Sequence, residues 1–282
     1  MYLRPSTLSE ACEVLANRPA QILSGGTDVF PGLVDRPSPD AVLDLSAIGE
    51  LRGIVHEDAA IRIGARTTWS DLAKADLPPA FDALRSAART VGSIQIQNVA
   101  TIAGNLCNAS PAADGAPPLL VLDAAVELAS RAGLRRLSLS EFLLGNRRTA
   151  RRPDEILSAV IVPRDAATGA SAFVKLGSRR YLVISIAMVA ARLVTDDAGR
   201  IEQAAIAVGS CSAVARRLPG LEEALVGQAA AVGVGQVLRA EHLAPLSPID
   251  DIRGSAAYRL DAARELIGRA LDGCCGARAH AA

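Results

Sequence analysis

The stretch from Gln95 to Asp114, QIQNVATIAGNLCNASPAAD, constrains the fold more than any other part of the chain. Its small residues leave the backbone bare, while Thr101, Asn105 and Ser110 supply hydroxyl and amide groups. Apolar residues are interleaved with these groups, which indicates burial, and a buried backbone needs partners for its polar groups. We therefore favour a segment that lies against a polar ligand, although a cluster of Gly, Asn, Ser and Pro is also typical of a plain loop.

A second stretch has the same character. The residues from Gln21 to Leu23 are typical of a short apolar strand, and Gly25 and Gly26 follow it as a turn. Consecutive backbone N–H groups in such a turn form a concave anion site, and the missing Cβ atoms allow a diphosphate to approach closely. Alone, the pattern is more often only a turn, and neither G-x-G-x-x-G nor G-x-x-x-x-G-K-[ST] occurs in the sequence.

Taken together, the two stretches make the sequence similar to the FAD-binding medium subunits of the molybdenum hydroxylases, the family of the xanthine dehydrogenase and carbon monoxide dehydrogenase flavoproteins. The resemblance rests on Ser24-Gly-Gly-Thr-Asp28, Thr101-Ile-Ala-Gly-Asn105 and Asn108-Ala-Ser-Pro-Ala-Ala-Asp114. It covers nearly the whole chain, including Gly145-Asn-Arg-Arg-Thr149, Lys175-Leu-Gly-Ser-Arg-Arg-Tyr181 and a closing helix near Ser255–Leu271.

The resemblance implies an α+β (mixed α/β) fold in two parts. Residues 1–165 would form an FAD-binding domain of the vanillyl-alcohol-oxidase/PCMH type, whose subdomains, about 1–53 and 54–165, hold the cofactor between them. Residues 170–273 would form a smaller C-terminal α+β domain of the molybdenum-hydroxylase flavoprotein type. The sequence itself shows only mixed strands and helices, with an unpatterned polar break at 163–169.

Local patterns predict the main elements. Thr7 and Glu10 are spaced as a capping box, and Thr68 caps a second helix that begins near Trp69, a residue expected in the core. Further helices are predicted at 78–91, 117–122, 140–144, 221–226, 229–240 and 255–271, with a frayed tail after Leu271. Strands are predicted at 41–45, 54–65 (a hairpin), 125–130, 135–139, 154–163, 172–176, 184–194 and 201–208.

FAD needs N–H donors for its diphosphate, partners for its sugar hydroxyls and a flat apolar slot for its ring. The resemblance implies that fifteen residues touch it: Leu23, Ser24, Gly25, Gly26, Thr27, Asp28, Val29, Thr101, Ala103, Gly104, Asn105, Ser110, Asp114, Leu157 and Lys175. Thr101, Gly104 and Asn105 would form a second phosphate wall that faces the glycine turn. No catalytic acid or base and no metal ligand is expected on this chain.

Three of the implied contacts have ordinary alternatives. Asp114 would accept hydrogen bonds from sugar hydroxyls, but an Asx turn or a helix N-cap explains it equally well. Lys175 beside the ring would favour reduced, anionic flavin, but it also fits a solvated strand position. Tyr181 would cover the ring, but a tyrosine at the boundary between core and surface, with its hydroxyl hydrogen-bonded, is an equally good explanation.

Two positions depart from the family pattern. Gln97 stands where the family usually has arginine, and Ala103 stands where it usually has glycine. The methyl group of Ala103 is tolerable beside the phosphates if its φ is negative. The loss of a charge at Gln97 affects either the loop or a partner surface, so both changes bear on FAD affinity.

Composition excludes several other classes of protein. Lys and Arg together number 30, as do Asp and Glu, so no electrostatic case exists for nucleic acid or an anionic membrane. No run of about 20 apolar residues and no basic-then-apolar leader is present, which predicts a soluble cytoplasmic chain. Five scattered cysteines without C-x₄-C-x₂-C spacing indicate reduced thiols and no iron–sulfur cluster, and three separated histidines argue against a metal site.

The function that the resemblance implies is electron transfer inside a hydroxylase with three kinds of subunit. FAD would be bound here, while molybdopterin and [2Fe–2S] clusters would lie on a large and a small partner subunit of a dimerised heterotrimer. Electrons would leave to NAD, quinone or oxygen. Two alternatives stay open: a free-standing FAD-dependent oxidoreductase, and a nucleotide-binding structural subunit without redox function.

Overall fold

The computed structural model describes residues 1–34, 37, 39–179 and 182–276. The prediction for Tyr181 lies outside these residues. Within them, the chain forms three sheets and a small hairpin, with helices packed between them.

The first sheet is parallel and holds the glycine turn at its edge. Its strands are β1 (Tyr2–Leu3), β2 (Gln21–Leu23) and β3 (Val42–Asp44), in the order β1-β3-β2. Helix α1 (Leu8–Asn17) connects β1 to β2, and the predicted capping box between Thr7 and Glu10 is present. The turn therefore follows β2 directly at its carboxyl end, as the sequence predicts.

The second sheet is antiparallel, in the order β4-β5-β10-β6-β7. Its strands are β4 (Ile54–His56), β5 (Ala60–Gly64), β6 (Ala125–Ser130), β7 (Gly133–Ser138) and β10 (Ile156–Pro163). The separate hairpin of β8 (Leu143–Gly145) and β9 (Arg148–Thr149) precedes β10. The accompanying helices are α2 (Trp69–Lys74), α3 (Asp82–Ala88), α4 (Ile94–Val99), α5 (Ile102–Asn108), α6 (Ala116–Val121) and α7 (Leu139–Phe142). Trp69 is fully buried, which confirms its prediction as a core residue.

The central polar stretch folds as two short helices and not as a loop. Ser93 caps α4 and Thr101 caps α5, each by accepting a hydrogen bond from a backbone N–H in the first turn. Helix α5 ends at Asn108, and the residue that follows it, Ala109, adopts the left-handed conformation with φ of 46°. The short polar side chains that suggest a loop are therefore helix caps in part, because the same residue types favour both positions.

The third sheet is antiparallel and belongs to the C-terminal part. Its strands are β11 (Ala170–Leu176), β12 (Ala187–Thr195), β13 (Ile201–Gly209) and β14 (Arg216–Arg217), and α8 (Pro219–Leu225) and α9 (Ala256–Gly276) cover it. The predicted fraying after Leu271 is wrong, because α9 continues to Gly276 and buries Cys274.

Two predicted helices are wrong in length or type. The region 229–240 contains a 3₁₀ turn at Val234–Val237, because Gly233 has φ of 91°, which no α-helix accommodates. The region 78–91 begins with a 3₁₀ turn at Pro79–Phe81, and only α3 is α-helical.

Two arginines of the third sheet cap helix α6 of the preceding part. Arg192 Nε donates to the Val121 carbonyl oxygen at 2.7 Å, and Arg217 Nη1 donates to that of Leu120 at 2.9 Å. Both also pair with Asp123. The last carbonyls of a helix lack partners within it, so these bonds join the two parts of the chain at α6.

No helix in the described ranges has the length and apolar character needed to cross a bilayer.

The buried carboxylate of Glu127 should make the stability of the protein depend on pH. Burial opposes its ionisation, but bonds from Arg62, Ser158 and Arg136 outweigh burial and lower its pKa from 4.5 to about 2. A lowered pKa stabilises the fold fully above pH 4.5, and this contribution disappears as the pH falls towards 2. We expect Glu127→Gln to lose roughly 2–3 kcal/mol of unfolding free energy at neutral pH and to flatten the acid slope. Urea unfolding between pH 2 and pH 7 measures both.

The matched control is Glu265→Gln, which removes an exposed i,i+4 ion pair with Arg269. It should leave the urea midpoint nearly unchanged. Equal effects of the two variants would contradict the stabilising role of the Glu127 carboxylate.

Candidate functional site

A cavity of about 540 Å³ opens beside the glycine turn. The turn forms one wall, α5 forms another, and the β8–β9 hairpin and the start of β10 complete the lining. Eleven of the fifteen predicted site residues lie here: Ser24, Gly25, Gly26, Thr27, Asp28, Val29, Thr101, Ala103, Gly104, Asn105 and Leu157. The structure therefore brings together two motifs that are more than 70 residues apart in the chain.

The other four predicted residues do not line this cavity. Leu23 is buried in β2 immediately before the turn. Ser110 lines a small neighbouring cavity, where its hydroxyl accepts from the Ala112 N–H at 3.2 Å. Asp114 and Lys175 bond to each other.

The turn presents a row of free backbone donors. No acceptor in the described part of the chain takes a hydrogen bond from the six backbone N–H groups of residues 24–29. Gly26 has φ of 73°, and the chain then turns through a bond from the Phe30 N–H to the Gly26 carbonyl at 3.1 Å. Successive N–H groups around a left-handed residue form a concave anion-binding surface.

Gly25 and Gly26 are required for different reasons. A Cβ at Gly25 would overlap the carbonyl oxygen of Val99, so the turn lies directly on the backbone between α4 and α5. A Cβ at Gly26 would meet the ring of Phe30, and its positive φ already disfavours other residues.

Thr101 connects α5 to the glycine turn. Its hydroxyl donates to Ser24 Oγ at 3.4 Å and accepts from the Gly104 N–H at 3.2 Å. The N–H of Asn105 bonds to the Thr101 carbonyl, and the N–H groups of Ile102 and Ala103 bond to a preceding loop. The backbone of α5 therefore has no donors to spare, and this wall offers the cavity its side chains.

Asn105 supplies a side-chain group that needs a partner. Its Oδ1 is buried and accepts no hydrogen bond from the described residues. Buried polar atoms are nearly always paired, so this one is an exception. It lies close to Gly115, and Asn105 borders both this cavity and the small neighbouring one.

The positively charged side chains of the lining were not among the predicted residues. Arg66, Arg147 and Arg151 line the cavity with Asp28 as the only carboxylate there, which gives the described lining a net charge of +2. Arg147 could have been predicted from the motif Gly145-Asn-Arg-Arg-Thr149, which belongs to the family resemblance. A run of arginines also fits an exposed, solvated loop, however, so the motif alone did not single it out.

Cys107 lines the cavity as a protonated thiol. Burial raises its pKa to about 11, so at neutral pH it is not the thiolate that a covalent linkage would require. Within the described ranges, no group of His, Cys, Asp and Glu is arranged to hold a metal ion.

The two departures from the family pattern are accommodated. Gln97 is buried, and its Nε2 donates to the Arg89 carbonyl oxygen at 3.0 Å. Ala103 lies inside α5 with negative φ, so its methyl group imposes no backbone strain.

Asp114 and Lys175 form a buried pair between the two parts of the chain. Lys175 Nζ lies 2.5 Å from Asp114 Oδ2, and Ser185 Oγ donates to Asp114 Oδ1 at 2.6 Å. Burial raises the pKa of Asp114, and its two partners oppose that change. The helix-cap alternative is wrong, because α6 has no side-chain cap. Lys175 also borders a second, more open cavity of about 430 Å³.

These features define a class: a mixed α/β protein with a cavity built for an anionic dinucleotide. Comparison with known families gives a more specific identity. Residues 1–165 match the model of the FAD binding domain in molybdopterin dehydrogenase, and residues 172–273 match that of the CO dehydrogenase flavoprotein C-terminal domain. The chain therefore belongs to the family of FAD-binding medium subunits of the molybdenum hydroxylases, and it is an oxidoreductase subunit that binds FAD. The resemblance and the mixed fold are confirmed.

Individual relatives agree. The chain is 38% identical to the nicotinate dehydrogenase FAD-subunit of Eubacterium barkeri, over 80% of this chain and 79% of that protein. It is 31% identical to the putative xanthine dehydrogenase FAD-binding subunit of Escherichia coli K12, over 92% and 90%. A chain of reconstituted CO dehydrogenase from Oligotropha carboxidovorans superposes with a TM-score of 0.90 at 28% identity, covering 98% of this chain and 97% of that one.

The buried pair can be tested by removing one partner. Asp114→Ala leaves the Lys175 ammonium without its counter-charge, and we expect it to cost about 3–5 kcal/mol of unfolding free energy. Lys175→Met in the same background removes the stranded charge and should recover most of the loss. Urea unfolding of the cofactor-free chain measures both. A single variant as stable as the wild type would show that the pair does not anchor the two parts.

Proposed function

We propose that this chain is the electron-transfer subunit of a molybdenum hydroxylase complex. FAD bound here would receive electrons from [2Fe–2S] clusters on a small partner subunit and pass them to NAD, quinone or oxygen. A large partner subunit would oxidise the substrate at molybdopterin, and the heterotrimer would dimerise. Support comes from the relatives' names, which include a nicotine 6-hydroxylase medium subunit and a carbon monoxide dehydrogenase medium chain.

The free N–H groups of residues 24–29 carry the FAD assignment. A diphosphate bears two negative charges and needs several donors close to its oxygens. The turn supplies the donors, and the lining supplies a net charge of +2. Donors that are already fixed in place need no rearrangement to bind an anion.

The remaining lining fits the rest of the cofactor. A volume of about 540 Å³ falls within the range of roughly 300–1,000 Å³ that small-molecule and cofactor sites occupy. We assign the diphosphate to residues 24–29, phosphate or sugar oxygens to Thr101 and Asn105, and an apolar wall to Leu157. For the other predicted residues, Asp114 and Lys175 among them, contact with FAD stays a prediction.

The two-domain division also belongs to this proposal. The glycine turn falls in the proposed subdomain of about 1–53, while α5 and the hairpin fall in that of 54–165. A cavity lined by both supports a cofactor held between them. Residues 170–273 would form the C-terminal domain.

Bound FAD supplies the capacity to accept two electrons and to release them singly or as a pair. The chain's own residues bind it, orient it and exclude water. Among the described lining residues there is no histidine, and the only carboxylate, that of Asp28, accepts a hydrogen bond from Asn108. A free-standing oxidoreductase would need an acid or base to act on its own substrate, so this lining favours electron transfer.

The purified chain should be yellow and inert. We expect FAD to be bound without a covalent link, since the thiol of Cys107 is protonated, so acid precipitation should release all of the flavin. Purines, aldehydes and aromatic heterocycles should not reduce the flavin of the isolated chain. Colour retained in the acid pellet would contradict non-covalent binding. Substrate-driven reduction without partner subunits would support the free-standing enzyme.

Gly26→Val should abolish FAD loading. Its branched side chain disfavours the φ of 73° and meets Phe30, which disturbs the row of N–H donors. Gly49→Ala is the matched control, because a Cβ there meets nothing within 4 Å. Flavin absorbance per chain after gel filtration measures loading, and circular dichroism verifies the fold. Equal loading of the two folded variants would remove the turn from the FAD site.

A further inference from the structure

A chain of hydrogen bonds spans the open side of the cavity. Asn108 Nδ2 donates to Asp28 Oδ1 at 3.0 Å, and Arg147 Nη1 donates to Asn108 Oδ1 at 2.6 Å. Asp28 belongs to the glycine turn, Asn108 ends α5, and Arg147 lies in the turn between β8 and β9. All three line the cavity, and Asp28 and Arg147 are exposed. One amide therefore links three separate segments at the rim.

The backbone of Arg147 is held in an uncommon conformation at this point. The residue has φ of 54° in the two-residue connection between the paired Gly145 and Arg148. Glycine or asparagine is favoured at such a position. Its N–H donates at 2.9 Å to the carbonyl of Ala109, which is itself left-handed. A non-glycine residue keeps such a conformation only where its surroundings fix it, and such residues concentrate at ligand sites.

The side chain of Arg147 has hydrogen-bond donors and a positive charge that the described residues leave unpaired. It forms no ion pair with a carboxylate of the described residues, and the only hydrogen bond of its guanidinium there goes to Asn108. A guanidinium has five N–H donors, so several have no partner among the described residues, and Arg147 lines a cavity whose proposed ligand is anionic.

We propose that Arg147 is a positioning residue that retains the cofactor. Through Asn108 and Asp28 it latches the β8–β9 hairpin to the glycine turn, and this closes the rim and slows release of a bound dinucleotide. The proposal rests on the proposed function, because the ligand that it retains is FAD. Exposed bonds of this kind contribute little to the stability of the empty chain. The latch therefore acts on cofactor release and not on folding.

Arg147→Gly is the decisive variant, because glycine suits the positive φ and removes only the side chain. We expect release of FAD from the full chain to become about ten- to hundredfold faster, while the melting temperature of the FAD-free form is unchanged or higher. Dilution of the FAD-loaded chain, followed by flavin fluorescence, gives the rate. Arg148→Ala is the control, since Arg148 neighbours Arg147 on the hairpin but does not line the cavity. It should release FAD at the wild-type rate.

Two further variants test whether Arg147 acts through Asn108 and whether its positive charge contributes to retention. Asn108→Ala should accelerate release as much as Arg147→Gly, and the double variant should be little faster than either, since both remove one chain of bonds. Arg147→Lys, which keeps the charge and a donor, should restore part of the retention.

Wild-type release rates in Arg147→Gly, or equal acceleration by Arg148→Ala, would overturn the latch. If Arg147→Gly also lowers the melting temperature of the FAD-free form, Asn108→Ala decides, because it preserves the backbone bond from Arg147 to Ala109. Fast release then supports the latch, and wild-type release overturns it. A wild-type chain that binds no FAD would refute the proposed function itself, which separates the two failures.

Discussion

The contact of Gly25 with the backbone of Val99 is the constraint on which the site depends. Because no Cβ intervenes, the carboxyl end of β2 lies directly on the connection between α4 and α5. Next to this contact, the N–H groups of residues 24–29 bond to no acceptor in the described chain, and these residues line the cavity. A larger residue at this position would separate the two walls.

Within the described residues, the buried charges of the protein are paired with each other, whereas the charges that line the cavity are not. Glu127 is surrounded by two arginines and a hydroxyl, and Asp114 by Lys175 and Ser185, so these buried charges are neutralised within the protein. Arg66 and Arg151, which line the cavity, donate to backbone carbonyls, and Arg147 donates to an amide oxygen, so none of the three forms an ion pair with a described carboxylate. The net charge of +2 there is therefore available to a ligand, although the whole chain has equal numbers of acidic and basic residues. A local surplus of this kind is invisible in the overall composition.

Local signals carried most of what the sequence could predict. The capping box at Thr7 and the strand and turn leading to Gly26 depend on residues within a few positions of each other, so both could be inferred without the fold. The helix predicted at 229–240 failed because apolar periodicity outweighed Gly233, whose positive φ ends any helix. In the central stretch the sequence favoured a ligand-binding segment but did not predict its two short helices, because cap residues and loop residues are the same types.

Pairs of side chains that are far apart in the chain could not be inferred from the sequence pattern. Asp114 meets a lysine 61 positions away, and Arg147 reaches Asn108 across 39 positions. Neither residue differs locally from a solvated charge. The resemblance to a family indicated Asp114 and Lys175 as site residues but not that they bind each other. The fold was thus more predictable than the partners within the site.

Amide hydrogen exchange tests the central claim most directly, namely that the backbone of residues 24–29 binds the diphosphate. Exchange should be measured for the full chain with and without saturating FAD. The account predicts that these six amides, free in the empty chain, become strongly protected, whereas the strands of the third sheet change little. Unaltered exchange at residues 24–29 in a chain that has bound FAD would contradict it.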